Sequence, residues 1–234
     1  MVYRRVAMIK HKILRKLSGT AYLLLPLIVL GLTAASCSKE ETEASEWDNW
    51  QQRNVEYTNY IVNCYQTNAK PELAPQGLGW KRLKAYSKDA ATEGSINEYI
   101  YAYVIEEGNG SVSPAYTDSV RVIYQGRLIP TSTYTEGYVF DGTVNSTFSM
   151  TTSATACMKV SKTVDGFSTA LQYMHRGDRW RVYIPYELGY GVEDQKNSSG
   201  VVTIPGSSVL IFDLQLIDFC SASETLPVWR SRQR

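Results

Sequence analysis

The chain has 234 residues, 44% of them hydrophobic, which suffices for one folded domain with extensions or for two small domains. Its formal net charge of +1 hides an uneven distribution, because residues 1–36 contain six basic residues and no acidic one. The remaining residues carry 18 basic and 23 acidic side chains, a net charge of −5, and this balance argues against a nucleic-acid-binding protein.

The N-terminal segment has the pattern of a secretory signal peptide. Basic residues precede an apolar run from Ala21 to Leu32, which is too short for a comfortable membrane span, and small residues follow it. The sequence Ala34–Cys37 resembles the lipobox of bacterial lipoproteins, in which the cysteine is lipidated and begins the mature protein. We therefore predict a signal peptide over residues 1–36 and a lipid anchor on Cys37. The alternative is an ordinary cleaved signal followed by a coincidental cysteine.

Residues 37–46 are predicted to form an acidic tether, because charged polar runs such as Ser38–Glu43 stay solvated and disordered. This run also resembles the surface-export signal of some Gram-negative lipoproteins. The expected location is therefore the bacterial outer membrane, to which the exported protein is attached by its lipid, facing either the periplasm or the cell surface.

Few residues are available for metal or nucleophilic chemistry. The spacing of Cys64, Cys157 and Cys220 fits neither a redox CxxC motif nor a zinc site. These cysteines are expected either as buried free thiols or as one disulfide with one thiol left over. Once the signal is removed, His175 is the remaining histidine, and its place at a predicted helix end favours a solvated residue. No metal and no cofactor are expected.

A helix is predicted over residues 47–66, because mostly apolar residues recur at three- and four-residue steps and so form a stripe along one side of a helix: Trp47, Trp50, Asn54, Tyr57, Ile61 and Cys64. The stripe either packs on its own domain or forms a homodimer, in which Asn54 fixes the register. Loop signals dominate residues 67–97, although 80–86 has the pattern of a strand or a helical turn. Residues 47–97 are therefore interpreted as a helical extension and a connector.

The segment from residue 98 to residue 220 has the pattern of an α+β domain. Alternating side chains predict strands over 98–106, 118–128, 138–141, 147–150, 179–185 and 208–219. One short helix is predicted over 166–174, between the strands. The fold class that follows is an antiparallel sheet wrapped around one short helix, with the N-terminal helical extension before it and a C-terminal tail over 221–234.

Several short segments of this domain occur in a characteristic order: Val122–Gly126, Val139–Asp141, Val164–Phe167, Gly189–Gly191, Thr203–Pro205 and Val209–Asp213. Together they resemble the FK506-binding-protein (FKBP) family of peptidyl-prolyl cis-trans isomerases, in its bacterial lipoprotein form, over about half of the chain. The resemblance implies an apolar pocket that isomerises X-Pro bonds in exported proteins. It also implies proline-containing polypeptides as substrates and rapamycin-type macrolides as ligands.

The resemblance further implies a role for each matching residue. Asp141 is expected against the substrate carbonyl, while the Tyr190 hydroxyl and the Ile204 backbone N–H donate hydrogen bonds to substrate carbonyls. The expected walls and floor of the pocket, besides Ile204, are Tyr124, Phe140, Val164, Phe167 and Phe212. Either Phe148 or Met150 is expected to close one side.

The chain departs from the family pattern in three respects. Phe167 stands where many members carry Trp, and the usual Arg after the Phe-Asp pair is missing, so Asp141 is expected to lack a basic partner. Three loops are long: 129–138, 151–162 and 192–202, the last of which is expected to overhang the pocket. Two other functions therefore remain open. One is a non-catalytic binding or chaperone module, and the other is a structural lipoprotein whose own loop fills the pocket.

Overall fold

The computed structural model describes residues 45–144 and 147–227. The predicted signal peptide, Cys37 and most of the predicted tether therefore lie outside the described residues. The helices within them are α1 (Trp50–Thr67) and α2 (Asp165–Tyr173), and the strands are β1 (Gly79–Lys84), β2 (Tyr99–Glu106), β3 (Ser119–Arg127), β4 (Val139–Gly142), β5 (Ala156–Lys159), β6 (Arg179–Ile184), β7 (Gln195–Lys196), β8 (Val202–Ile204) and β9 (Leu210–Cys220). None of the helices in this part of the chain has the length and hydropathy needed to cross a membrane.

Seven strands form one antiparallel sheet in the order β1-β2-β6-β9-β3-β4, and β5 also pairs with β3. The free edge of β3 is shared, because its first half pairs with β5 and its last three residues pair with β4. Strands β7 and β8 form a separate hairpin. This arrangement brings β4 beside the end of β3 at one edge of the sheet.

Helix α2 covers one face of the sheet. A Cβ atom at Gly166 would lie 2.3 Å from Ile184 Cγ2 and 3.1 Å from Ile100 Cγ2, so the glycine allows the helix to approach the strands closely. Side chains alternate along a strand, and the register places Ala102, Val182 and Phe212 on this same face. The predicted architecture, a sheet wrapped around one short helix, is confirmed.

Helix α1 covers the opposite face. Its Tyr57 ring lies 6.4 Å from the ring of Tyr183, and its Tyr65 ring lies 5.9 Å from that of Tyr101. The residues that α1 buries are Trp50, Asn54, Thr58, Ile61 and Cys64. The predicted helix is thus present, and its stripe packs on its own domain, which is the first of the two alternatives. Asn54 is fully buried and makes its hydrogen bonds within this chain.

The connector is attached to the α1 face through a buried ion pair. Arg181 Nε donates to Asp213 Oδ1 at 2.8 Å, and Arg181 Nη2 donates to Asp213 Oδ2 at 2.7 Å. The same guanidinium donates to the carbonyl of Leu73 in the connector. Trp80 packs nearby, with its ring 5.8 Å from that of Tyr183. Residues 79–84 pair with β2, so they form an edge strand of the sheet rather than a helical turn.

Three predicted elements differ from the structure. Residues 147–150 form a bend and a turn, so the strand predicted there is wrong. Residues 156–159 form β5 inside the long loop predicted over 151–162, and the β7–β8 hairpin over 195–204 takes up most of the long loop predicted over 192–202. The edge of β3 pairs with β5 and β4, so residues 147–150 do not take a place along it.

The three cysteines in the described residues are free thiols. Cys157 lies opposite Arg121 on one side of β3, whereas Cys220 lies opposite Ser119 on the other side. The free-thiol alternative is therefore confirmed, but burial holds for Cys64 only, since Cys157 is exposed and Cys220 is half-buried. Within the described residues, no group of three or more His, Cys, Asp or Glu side chains converges on a possible metal site.

The substitution Tyr183→Phe is expected to stabilise the protein. The Tyr183 hydroxyl is buried and has no hydrogen-bond partner among the described residues. An unsatisfied buried polar group costs about 1–3 kcal/mol, so its removal should raise the free energy of unfolding by about 1 kcal/mol at neutral pH. Urea unfolding measures the change, and Tyr116→Phe, at a tyrosine that is 55% exposed, is the matched control.

The same substitution should also change the stability at alkaline pH. Burial raises the pKa of Tyr183 well above its usual value of 10.0, and the neighbouring Tyr57 raises it further. A group whose pKa is raised by folding makes its full contribution to folding stability at any pH below its unfolded pKa. That contribution is lost as the pH rises through the folded pKa. The wild-type protein should thus lose stability above about pH 10, and Tyr183→Phe should lose less. Equal alkaline losses in both proteins would contradict this account.

Candidate functional site

Four aromatic rings meet on the α2 face of the sheet, and we call them the ring cluster: Tyr124, Phe140, Phe167 and Phe212. The ring of Phe212 is central, with its centroid 4.8 Å from Phe167, 5.6 Å from Phe140 and 6.3 Å from Tyr124. The contacts with Phe167 and Phe140 are edge-to-face, the geometry that aromatic quadrupoles favour. Phe167 and Phe212 are buried, whereas Tyr124 and Phe140 are half-buried, so the cluster has an open side.

Gly126 makes room for the ring cluster. A Cβ atom at this position would lie 2.6 Å from Phe212 Cε1 and 2.7 Å from Phe140 Cζ, closer than any side chain tolerates. A role for Gly126 is not among the expectations from the sequence. The available signal was a glycine inside a strand, which often marks a close approach of another group.

Asp141 follows Phe140 in β4 and is held by two hydrogen bonds. The Tyr124 hydroxyl donates to Asp141 Oδ2 at 2.7 Å, and the Gly142 N–H donates to Asp141 Oδ1 at 2.8 Å. The Thr143 N–H, which donates to the Tyr124 carbonyl at 2.8 Å, fixes β4 against β3. None of the ion pairs in the described residues involves Asp141, as the missing Arg implies. The phenol of Tyr124 is its partner instead.

Tyr190 lies in the turn that follows a 3-10 helix over Tyr186–Leu188. Its side chain is 41% exposed, and its hydroxyl makes no hydrogen bond within the described residues. Burial and the charge of Asp141 raise the pKa of Tyr190. Burial and the hydrogen bond to Asp141 likewise raise the pKa of Tyr124. Both phenols therefore keep their protons at neutral pH, and the Tyr190 hydroxyl is available as a donor.

A candidate backbone donor belongs to Val164, three residues before Phe167 of the ring cluster. This half-buried residue precedes α2, and its N–H has no acceptor among the described residues. Ile204, the backbone donor expected from the sequence, is buried and lies opposite Gln195 in the β7–β8 hairpin, and its donor role stays a prediction. The signal for Val164 was its place at a helix start, where N–H groups lack helical partners.

The structure does not bring Phe148 into the ring cluster, so its expected place at one side of the pocket stays a prediction. The Arg179 guanidinium lies 3.9 Å from the centre of the Phe148 ring. Arg179 alternates with Trp180 in β6, which places it on the sheet face opposite α2. The preceding segment is held on that face, because Gln125 Nε2 donates to the Val144 carbonyl at 3.1 Å. Met150, the alternative, is exposed in a turn.

Comparison with known proteins finds one family model that this region matches. Residues 110–217 match the family model described as FKBP-type peptidyl-prolyl cis-trans isomerase. A macrophage infectivity potentiator of Trypanosoma cruzi is 37% identical over 113 residues, which are 48% of this chain and 49% of that protein. The FKBP-type 22 kDa peptidyl-prolyl cis-trans isomerase of Escherichia coli is 32% identical over 145 residues, 61% of this chain and 62% of that protein.

The outer membrane protein MIP of Legionella longbeachae is 32% identical over 120 residues, 51% of this chain and 44% of that protein. The chain thus spans between 44% and 62% of the length of these relatives. Among solved structures, FkpA from Escherichia coli is similar with a TM-score of 0.46 and 23% identity, over 75% of this chain and 64% of that one. The match to the family model of FKBP-type peptidyl-prolyl cis-trans isomerases, over residues 110–217, contains the whole ring cluster.

Proposed function

We propose that this chain catalyses the cis–trans isomerisation of X-Pro peptide bonds and so assists the folding of exported proteins. The observation that carries the proposal is the ring cluster, which lies beside the Tyr124–Asp141 pair inside the segment that matches the family. Uncatalysed X-Pro bonds isomerise in tens to hundreds of seconds, which is slow enough to limit folding.

The cluster suits this reaction because the reaction needs no nucleophile and no acid or base. Its barrier of about 18–20 kcal/mol comes from amide resonance. As the C–N bond twists, the resonance and much of the amide's polarity are lost, so water stabilises the planar amide more than the twisted one. Walls formed by Phe140, Phe167 and Phe212 exclude water and favour the twisted state, which is differential binding. Each tenfold gain in rate requires about 1.4 kcal/mol.

Hydrogen-bond donors at the site would hold the carbonyl groups of the substrate. In the proposal, the Tyr190 hydroxyl and the Val164 N–H are these donors, since neither has a partner within the described residues. Val164 thereby takes the role that the sequence analysis gave to Ile204, which remains a wall residue. Asp141 lies against the substrate carbonyl and orients the Tyr124 phenol through their hydrogen bond.

Tyr190→Phe is expected to lower kcat/KM by about tenfold, the equivalent of one lost hydrogen bond. The fold should be unaffected, because the Tyr190 ring is 41% exposed. Asp141→Val should lower kcat/KM similarly, since it frees the Tyr124 hydroxyl. A peptide isomerisation assay measures both variants, with Tyr116→Phe as the control. Wild-type turnover in both Tyr190→Phe and Asp141→Val would refute the assignment of this site.

A second candidate function is to hold unfolded chains without turnover. The loop around the β7–β8 hairpin exposes large apolar side chains close to Tyr190 in the sequence, with Val192 63% exposed, Val201 60% and Val202 40%. Such an exposed apolar surface is typical of a binding site for polypeptides. Rapamycin binding without peptide turnover would favour this binding function, whereas turnover that rapamycin inhibits would favour the isomerase. Absence of both would favour a pocket filled by the chain's own loop.

The proposed location is the bacterial outer membrane, with a lipid on Cys37 as the anchor. The support comes from the signal pattern over residues 1–36 and from similarity to a relative named as an outer membrane protein. Labelling with a radioactive fatty acid should modify the wild-type protein and not Cys37→Ser. Protease treatment of intact cells then separates a surface-exposed protein, which is cleaved, from a periplasmic one, which is protected.

A homodimer through residues 47–66 is not part of the proposal. The apolar residues Trp50, Ile61 and Cys64 are already buried against the domain of their own chain. Most exposed residues of α1 are polar, as Gln52, Glu56 and others show. Light scattering is expected to report a monomer.

A further inference from the structure

The buried side of α1 makes hydrogen bonds with residues 205–209. We call these residues segment 205–209. Trp50 Nε1 donates to Ser208 Oγ at 2.8 Å, and Ser208 Oγ donates to the Pro205 carbonyl at 2.5 Å. One helical turn further along α1, Asn54 Oδ1 accepts a hydrogen bond from the Val209 N–H at 2.8 Å. The Asn54 side chain is itself fixed, because its Nδ2 donates to the Trp50 carbonyl at 2.7 Å.

Segment 205–209 connects three parts of the proposed pocket. It begins directly after Ile204, and it ends three residues before Phe212 at the centre of the ring cluster. The Ser207 N–H donates to the Gly191 carbonyl at 2.8 Å, which ties the segment to the turn that carries Tyr190. A shift of this segment therefore moves both a wall and a hydrogen-bond donor of the pocket.

The segment depends on α1 for its position. It lies between β8 and β9, outside both strands, and Ser207 has a left-handed φ of 61°. The Val209 N–H is buried, and a buried N–H without an acceptor is costly, so Asn54 supplies a partner that the sheet does not. Asn54 has no exposed surface at all, which keeps water from replacing it.

A second contact of the α1 region reaches the loop that leads to Phe140, on another side of the proposed pocket. Arg53 Nη1 donates to the Glu46 carbonyl at 3.0 Å, and the Thr133 N–H donates to Glu46 Oε1 at 3.4 Å. Thr133 lies in the loop between β3 and β4, and β4 carries Phe140. The hydrogen bonds from the side chains of Thr131 and Thr133 lower the pKa of Glu46, so this carboxylate stays charged near neutral pH. Contacts of α1 and the residues before it thus reach the loops that lead to both Phe212 and Phe140.

We propose that α1 holds the pocket in its active geometry, with Trp50 and Asn54 as positioning residues for isomerisation. The inference rests on the proposed function, because it assigns a task to the extension of the same enzyme. Neither residue belongs to the ring cluster, so each acts through segment 205–209. The task differs from the two roles that the sequence suggested for this helix, packing alone and dimerisation.

The test compares Asn54→Ala and Trp50→Phe with Thr58→Val in the full chain. Thr58 lies on the same buried side of α1, and its hydroxyl donates only to the Asn54 carbonyl inside the helix, at 3.0 Å. Asn54→Ala should lower kcat/KM by at least about tenfold, within the roughly 100-fold that a misplacement of about 1 Å can cost. Thr58→Val should retain wild-type kcat/KM even where its melting temperature falls. Equal kcat/KM in Asn54→Ala and the wild type, measured well below both melting temperatures, would overturn the proposal.

A double-mutant cycle tests the Trp50–Ser208 hydrogen bond itself. The double variant of Trp50→Phe and Ser208→Ala should reduce kcat/KM no more than Ser208→Ala alone, because both changes remove the Trp50–Ser208 bond and Ser208→Ala also removes the bond to the Pro205 carbonyl. If the reduction in kcat/KM of the double variant equalled the product of the two single reductions, Trp50 and Ser208 would not act through one shared hydrogen bond. Amide hydrogen exchange gives an independent result, since Asn54→Ala should accelerate exchange over residues 205–212 and not in α2. If the wild-type chain shows no isomerisation, the proposed function fails, and the exchange result alone decides whether α1 holds the segment.

Discussion

Phe140→Ala should lower kcat/KM for X-Pro isomerisation by about 100-fold, which corresponds to about 2.7 kcal/mol of transition-state stabilisation. The Phe140 ring packs edge-to-face on Phe212 and is half-buried at the open side of the ring cluster. Its removal admits water to the twisting amide, and water stabilises the planar amide more than the twisted one. The loss of stability should stay modest, because the ring belongs to the edge strand β4 and is not fully buried. Isomerisation kinetics with a short X-Pro peptide measure the effect.

Phe148→Ala is the matched control for this variant. Phe148 is also a half-buried phenylalanine, but its ring contacts Arg179 on the other face of the sheet. Its kcat/KM should stay within about twofold of the wild-type value, since no ring of the cluster changes. A large loss of turnover in Phe148→Ala, or wild-type turnover in Phe140→Ala, would contradict the assignment of the pocket to the α2 face.

Asp213→Ala should destabilise the protein by about 3–5 kcal/mol, because it leaves the Arg181 guanidinium charged, buried and without its carboxylate. Both residues are 6% exposed, and two hydrogen bonds of 2.8 and 2.7 Å join them. The Leu73 carbonyl would remain as a neutral partner of Arg181. Urea unfolding of the variant and of the wild type gives the difference in the free energy of unfolding.

Two further variants show whether burial is the cause. Glu107→Ala removes one partner of an exposed pair, whose Lys81 Nζ lies 3.9 Å from Glu107 Oε1, and it should cost less than about 1 kcal/mol. Replacing both buried partners, as in Arg181→Met with Asp213→Leu, should recover most of the stability lost in Asp213→Ala, because no unpaired charge remains. A double variant as unstable as Asp213→Ala would show that the packing of these side chains dominates.

The central part of the fold can be predicted from the sequence because its strands alternate clearly. Tyr99–Glu106 is an example, and the structure confirms it as β2. Strand β5 cannot be predicted in this way, since Ala156–Lys159 is short and is a strand only through pairing with β3. The stripe of α1 indicates a helix with a buried side, but it does not tell which surface covers that side. The face of the sheet that α1 covers follows from tertiary contacts such as Tyr57 with Tyr183.

The site shows the same division between local pattern and tertiary placement. The rings that meet in the ring cluster are in strands and a helix, where the local period and the order of the motifs fix their faces. Phe148 lies in an irregular segment, which has no period, so its contact with Arg179 cannot be read from the chain. The unpaired Val164 N–H follows from the exact start of α2, and the start of a helix is the least predictable part of it.

The most direct test of the proposed function is the isomerisation rate of a short X-Pro peptide in the presence of the full chain. The account predicts an acceleration that rapamycin abolishes, that falls about 100-fold in Phe140→Ala, and that persists in Phe148→Ala. No acceleration by a folded wild-type chain would contradict it. In that case the ring cluster would be a binding surface, and the exposed Val192, Val201 and Val202 would be the first residues to test for polypeptide binding.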